Sequence, residues 1–223
     1  MFGKSPRPPA GLIKYFGLTD WWLTTFTEEE RKKIVSTFQP LGASPDSLVV
    51  GDITHASGTP AGLLSALAGW FRKREDKSIA FRIIEKAEEL APQAGVLEKN
   101  LLYQAKIQTY YPLRDEDDYS LPRAIEACEQ QIKMSLEAAK AFREKYRGEL
   151  PAHIGYRQLA IIREKQGDFE SAINIARKAC DEGWSGDWEN RIERCKKKRE
   201  ARHDVLSMQL LTPPLQPPAP TIV

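Results

Sequence analysis

Cysteine and histidine, the residues of most disulfide and zinc sites, are scarce in this chain of 223 residues, which has three of each. Cys128, Cys180 and Cys195 are odd in number and widely spaced, which excludes a disulfide framework and a structural zinc site. The three histidines lie far apart in sequence, and none has a second ligand at helical spacing. The sequence therefore predicts no bound metal.

A strong charge of one sign and long apolar runs are also missing. The 33 basic residues nearly balance the 31 acidic ones, for a formal net charge of +2, which excludes a protein that coats a polyanion through bulk charge. There is no run of about 18 apolar residues, so no membrane span is predicted. The first residues lack the apolar core of a signal peptide, and we expect a cytoplasmic protein.

The common motifs of enzymes are absent. The sequence has no phosphate-binding P-loop, no Gly-x-Gly-x-x-Gly after a strand and no Gly-x-Ser-x-Gly. The loop 51–58 contains Asp52, His55 and Ser57, but loops use these residue types for turn geometry. We expect no catalytic residues and no cofactor, and an enzyme based on this loop ranks last among the hypotheses.

Two other polar features have plain structural interpretations. The acidic run 115–118 lacks the glycine and the distal glutamate of a calcium-binding loop, so we expect a solvated loop that also caps the helix after it. His153 follows Leu150-Pro151 at a predicted helix start, where we expect a solvated first-turn residue. Cys128 and Cys180 are predicted to lie on helix faces that pack, as small hydrophobic residues.

Strand signals are weak, and the best candidate is the short run 47–51. Helix signals are common: Thr27 begins a capping box with Glu30, and Thr59-Pro60 predicts a helix that continues to about Arg74. Further helices are predicted at about 76–90, 95–110, 121–146 with a break near Ser135, 151–166, 169–182 and 187–205. The predicted fold class is all-α, built from helical hairpins.

The predicted organisation has four parts. Residues 1–11 and 206–223 are proline-rich and are expected to be disordered. Residues 12–58, with Trp21-Trp22 and Phe26, form an N-terminal helical extension that packs on the following helices or acts as a separate recognition element. Residues 59–205 form the main domain.

A repeat pattern runs through that main domain. Residues 153–186 form the clearest unit, in which Gly167-Asp168-Phe169 makes a turn between two helices and small residues let those helices approach closely. A second unit spans 61–94 and ends near Pro92, and a third starts at 95 and is interrupted by the insertion 110–119. The positions that carry the clearest unit are Tyr156, Leu159, Ala160, Ala172, Ala176 and Ala179.

These units resemble the tetratricopeptide repeat, with degenerate copies over about residues 61–186. The resemblance implies a short right-handed solenoid of helical hairpins that acts as a non-enzymatic scaffold or adaptor. Residues 187–205 would form its capping helix, with Trp188, Ile192 and Cys195 as the apolar stripe. The family's usual proline after the last second helix is replaced by Trp184.

The resemblance also implies a concave groove that binds a protein or peptide partner. The positions that it assigns to the groove are Arg72, Lys99, Tyr103, Lys106, Arg157 and Ile161, together with Ser65 and Gly69. The family's two-carboxylate clamp needs asparagine where this chain has Tyr103 and Ile161, so a receptor for chaperone tails is not expected. The groove is instead suited to an acidic peptide with a hydrophobic anchor.

A second hypothesis concerns the basic helix at 191–203, which has seven lysines and arginines. Such a helix would suit a nucleic-acid-associated regulator. No aromatic residues are interleaved on that face for base stacking, so a solvated outer face is the preferred interpretation.

Overall fold

The computed structural model describes residues 8–40, 42, 44 and 46–211, with side chains up to residue 203. Within these residues the fold is all-α, as predicted, apart from two short paired strands. The helices are α1 (Gly11–Tyr15), α2 (Thr19–Thr25), α3 (Glu28–Thr37), α4 (Pro60–Ala68), α5 (Lys77–Leu90), α6 (Val96–Tyr110), α7 (Ser120–Lys133), α8 (Ser135–Tyr146), α9 (Ile154–Lys165), α10 (Phe169–Asp181) and α11 (Trp188–Leu211), and the strands are β1 (Leu150–Ala152) and β2 (Trp184–Ser185).

The chain divides into two compact units between Leu150 and Pro151. None of the described helices is long and apolar enough to cross a membrane. The predicted disordered residues 1–7 and 212–223 lie outside the described residues.

In the first unit, helix starts follow the sequence signals. The Thr27 hydroxyl accepts the backbone N–H of Glu30 at 3.2 Å, and the Glu30 carboxylate accepts the N–H of Thr27 at 2.9 Å, so the predicted capping box forms. At the start of α4 the Thr59 hydroxyl accepts the N–H of Gly62, and Pro60 takes the first helical position.

The weak strand candidate at 47–51 does not form a strand, because these residues form turns and bends. Their carbonyls accept the backbone N–H groups of residues 10–13 instead, and Leu48 is buried. Gly11 lies at φ +58, and a Cβ there would come within 2.4 Å of the Ser47 carbonyl oxygen. Residues 10 and 11 are therefore held in place by this pairing, contrary to the expected disorder.

The N-terminal helices share one hydrophobic core with α4 and α5. Trp22, Phe26 and Ile34 from the N-terminal helices belong to the same buried cluster as Leu64 and Ile83. Residues 12–58 therefore pack on α4 and α5 and are an integral part of the first unit.

The structure corrects one predicted helix boundary in this unit and confirms another. Helix α4 ends at Ala68, not near Arg74, because Gly69 ends the helix and Phe71 then turns into the core, where it is buried. A short 3-10 turn at Arg74–Asp76 leads into α5. The predicted break near Ser135 is confirmed, since Met134 lies between α7 and α8 with φ −100 and ψ 8.

The second unit is a hairpin of α9 and α10 on which α11 packs. The Asp168 carboxylate accepts the N–H of Ser171 and caps α10, and Gly167 makes the turn at φ +76. The alanines at 172, 176 and 179 are fully buried, as the close approach of helices requires. Helix α11 continues to Leu211, so residues 206–211 of the expected disordered tail are helical.

The end of this unit is covered by two tryptophans. The indole N–H of Trp188 donates to the Trp184 carbonyl at 2.6 Å, and both side chains are buried. The predicted apolar stripe on α11 is confirmed, because Cys195 is buried against Ala172 and Ile173 with Ile192 packed beside them.

Two expectations for single residues in this unit are wrong. His153 is buried rather than solvated: its Nδ1 accepts the Tyr156 N–H at 3.2 Å as the cap of α9, and its ring lies 4.6 Å from that of Trp184. Cys180 is exposed, because it lies on the outer face of α10. Cys128 in the first unit is buried as expected, and burial raises the pKa of its thiol to about 12.

Candidate functional site

An open cleft of about 510 Å³ lies between α4 and α6 in the first unit. One carboxylate fixes the starts of both helices. Glu98, in the first turn of α6, accepts the N–H of Thr59 at 2.7 Å and the Thr59 hydroxyl at 3.0 Å, and also accepts the N–H of Gly95. A Cβ at Gly62 would lie 2.4 Å from this carboxylate, so glycine allows the close approach.

Small residues on both helices keep the cleft open. Ala66 and Gly69 line it from the α4 side, and Ala105 lines it from α6. Larger apolar side chains stand at its edges, where Leu101 is half-buried and Trp70 is 42% exposed. The result is an apolar surface with room for a side chain from outside the unit.

Trp70 is held in position although it is exposed. Its ring packs edge-on against Phe38, with the ring centroids 5.9 Å apart. One face of Trp70 is thus fixed and the other is open. Tryptophans often contribute strongly to binding at protein surfaces.

The polar groups of the cleft are amides and one cation. Gln104 and Gln108 lie one turn apart on α6 and both line the cleft. The Ser65 hydroxyl donates to the Ala61 carbonyl and is therefore used within α4. The Arg72 guanidinium donates from Nε to the Gly69 carbonyl at 2.9 Å, which fixes its stem at the end of the cleft.

A second, smaller cleft of about 260 Å³ shares Arg72 with the first. Its walls include Phe71, Thr109 and Leu113, with a cluster of cations from the segment between α4 and α5. Two of these cations share one carboxylate: Arg74 and Lys77 both bind Glu116, and the hydrogen bond from Arg74 is the main reason that the pKa of Glu116 is lowered. The basic residues lining this cleft are Arg72, Lys73, Arg74 and Lys77.

Arg72 and Lys73 differ from their neighbours in the cluster. Both are exposed, and neither has a carboxylate partner within the part of the chain that the structure describes. Positive charge is therefore available at the junction of the two clefts.

The groove positions predicted on α4 and α6 are only partly brought together. Ser65, Gly69 and Arg72 line the cleft, but Lys99 and Tyr103 do not. Tyr103 is half-buried, and burial raises its pKa.

The expectation that Lys106 presents a free charge is wrong. Its side chain is 4% exposed and its ammonium is paired with Glu88. Because each residue turns a helix by about 100°, positions only one or two residues apart on α6 differ between core and surface. Leu101 lines the cleft from α6.

The two remaining groove positions, Arg157 and Ile161, lie on α9 of the second unit. Arg157 is exposed and Ile161 is half-buried. A groove that includes them stays a prediction.

Sequence reasoning missed Trp70, Gln104 and Gln108. The sequence did contain two signals for them. Gln104 and Gln108 are four residues apart and therefore lie on the same face of a helix. Trp70 directly follows Gly69, a residue type that often ends a helix, so its side chain need not follow the helical pattern.

Most of the lysines and arginines in 191–203 are paired with other groups of the second unit. Glu164 of α9, whose side chain is only 12% exposed, receives Arg191 at 2.9 Å, Arg194 at 3.1 Å and Lys198 at 2.8 Å. These bonds, that from Arg194 above all, lower the pKa of Glu164 to about 2.

Other cations of α11 are also partnered. Arg199 pairs with Glu170, Lys197 with Glu193 at 3.8 Å, and Arg202 donates to the Gly167 carbonyl. Most of the basic side chains in 191–203 therefore have an ion-pair or hydrogen-bond partner within the second unit.

The remaining sequence candidates have structural roles or none assigned. The acidic run 115–118 does cap the next helix, since the Asp117 carboxylate accepts the N–H groups of Tyr119 and Ser120. His55 lies exposed in its loop. Among the described residues, no group of three or more His, Cys, Asp or Glu side chains is arranged to hold a metal ion.

Comparison with known proteins gives no relative for this chain: no family model, no curated protein and no solved structure matches it.

Proposed function

We propose that the chain is a non-enzymatic interaction module of tetratricopeptide type, which acts as a scaffold or adaptor by binding a partner peptide in the α4–α6 cleft. The pairing of helices supports this proposal. Helix α4 packs on α5 to form one hairpin and α6 packs on α7 to form the next, while α4 also packs directly on α6. Contact between the first helices of successive hairpins is what stacking of such repeats produces.

The observation that carries the proposal is the composition of the cleft. Its walls combine small apolar residues, an exposed tryptophan and two amide side chains, and Arg72 is its only charged lining residue. Apolar surface with a few placed hydrogen-bonding groups is typical of binding sites for peptides and other ligands.

The rival hypothesis of a nucleic-acid regulator has weaker support. It depends on free charge on α11, where Glu164, Glu170 and Glu193 already engage five of the basic side chains. We therefore favour the peptide-binding module.

A selection from a phage-displayed library of random 16-residue peptides tests the proposal. Enriched peptides are synthesised with a fluorescent label, and their affinity for the full chain is measured by fluorescence polarisation. Trp70→Ala should weaken binding by about tenfold or more, because it removes the exposed aromatic wall.

The matched control is Tyr146→Ala, which removes another exposed aromatic side chain of the same unit. It should leave affinity unchanged. If no peptide is enriched, or if both variants behave alike, the α4–α6 cleft is not a peptide site.

A further inference from the structure

The proposed function leaves the chemistry of the peptide open, and the two adjoining clefts bear on it. Their order along the chain is simple: the first is lined by Leu101, Gln104 and Gln108, and the second by Thr109 and Leu113. A ligand that follows α6 towards its C-terminal end passes from an apolar surface to a basic one.

The glutamines fit an extended peptide backbone. Residues four apart on a helix are separated by about 6 Å along its axis, and alternate residues of an extended chain are about 6.7 Å apart. Each amide side chain can both donate and accept. Gln104 and Gln108 can therefore bind two peptide groups on the same side of an extended ligand.

The cations where the two clefts meet, Arg72 and Lys73, favour a negatively charged ligand. Arg74 and Lys77 are already paired with Glu116, whereas Arg72 and Lys73 have no carboxylate partner among the described residues. A carboxylate placed beside them would gain two favourable interactions without breaking an existing ion pair.

The spacing between the two surfaces can also be derived. Ala105 in the first cleft lies on α6, and Pro112 in the second lies in the 3-10 turn Tyr111–Leu113 that follows it. The two are seven residues apart, which corresponds to about 11 Å along the chain axis. An extended peptide covers this distance in about three residues.

We propose that the cleft binds an extended acidic peptide in which a large apolar side chain packs against Trp70 and a carboxylate about three residues away binds Arg72 and Lys73. This inference rests on the proposed function and adds to it the recognition of carboxylates by the segment between α4 and α5, outside the helices that line the first cleft.

A defined set of labelled 12-residue peptides tests it. Each has a Gly/Ser background with one Leu or Phe anchor and a Glu-Glu pair placed one to six residues away on either side, and each has a partner in which glutamine replaces both glutamates. With the unaltered chain, the Glu peptides with the three-residue spacing should bind about tenfold tighter than their Gln partners.

The double variant Arg72→Glu, Lys73→Glu should abolish that difference. The matched control Lys14→Glu, Lys133→Glu changes the net charge equally at two exposed lysines of the same unit that line neither cleft, and it should preserve the difference. Trp70→Ala should weaken Glu and Gln peptides alike, since it acts on the anchor.

The inference is overturned if Glu and Gln peptides bind equally, or if the control reversal also abolishes the difference. Equal binding of both sets that is still lost in Trp70→Ala would overturn the acidic ligand while leaving the proposed function standing. If neither these peptides nor the random library yields a binder, both proposals fail together.

Discussion

The two units of the chain each carry a basic segment, and the segments are used differently. In the second unit, the segment 191–203 has seven lysines and arginines, and a single partly buried carboxylate, Glu164, engages three of them. In the first unit, the segment 72–77 has only four, yet Arg72 and Lys73 have no carboxylate partner among the described residues. The count of charges in a segment therefore does not show which charges are available to a ligand.

The same contrast holds for the tryptophans. Trp188 closes the second unit and is 5% exposed, whereas Trp70 edges a cleft in the first unit and is 42% exposed. One side chain type thus stabilises the fold in one unit and is open to a partner in the other. The predictions below test this contrast, beginning with the largest expected effect.

Trp188→Ala should destabilise the second unit by about 3–5 kcal/mol, because it empties a buried site and removes the hydrogen bond to the Trp184 carbonyl. Trp70→Ala should cost only about 1 kcal/mol. Urea unfolding gives both values, and hydrogen exchange in α10 localises the first. Similar losses in the two variants would contradict the assignment of different roles.

The two alanines at helix contacts offer a second comparison. Ala172 is fully buried where α10 packs, so Ala172→Leu should overpack that contact and cost about 1–3 kcal/mol. Ala66 faces the open cleft, and Ala66→Leu should change stability by less than about 0.5 kcal/mol. Thermal melting of both variants checks this, and a larger loss for Ala66→Leu would mean that the cleft is closed in solution.

Glu164→Gln should cost the second unit roughly 1–2 kcal/mol near neutral pH, an amount reduced by the partial exposure of Arg194 and Lys198. The pKa of Glu164 is lowered from 4.5 to about 2 in the folded chain. Its contribution is therefore fully present above about pH 4.5 and is lost as the pH falls from there towards 2.

Urea midpoints measured between pH 7 and pH 2 check this prediction. The difference between the original chain and Glu164→Gln should shrink as the pH falls through that window. A difference that stays constant would show that the carboxylate charge does not stabilise α11.

Features of the fold that depend on neighbouring residues could be predicted from the sequence, and features that depend on residues far apart in the chain could not. The capping box at Thr27 and the helix start at Thr59-Pro60 are local, and both form as predicted. The end of α4 at Ala68 was missed, because it depends on the burial of Phe71 in a core built from other helices.

The candidate site was less predictable for the same reason. Lys106 was placed in a groove by the resemblance to the repeat family, but its partner Glu88 lies 18 residues earlier. The contact that fixes the register of α4 against α6, between Thr59 and Glu98, spans 39 residues. The α6 positions that were predicted to line the groove therefore lie outside the cleft, although the helix itself was correctly predicted.

The smallest expected effect concerns the two basic segments directly. Arg72→Glu with Lys73→Glu should change the melting stability by less than about 0.5 kcal/mol, because neither side chain has a carboxylate partner to lose. Arg194→Glu with Lys198→Glu alters the same net charge but places two acids beside Glu164, so it should destabilise the second unit clearly.

Thermal melting at low and at high salt checks both halves of this prediction. Salt should restore part of the stability lost in the α11 variant, since it screens the new repulsion around Glu164, and it should leave the Arg72, Lys73 variant unchanged. If the Arg72, Lys73 variant were destabilised as much as the α11 variant, those two cations would be holding the first unit together. Their charge would then not be free for a ligand, and the contrast between the two basic segments would disappear.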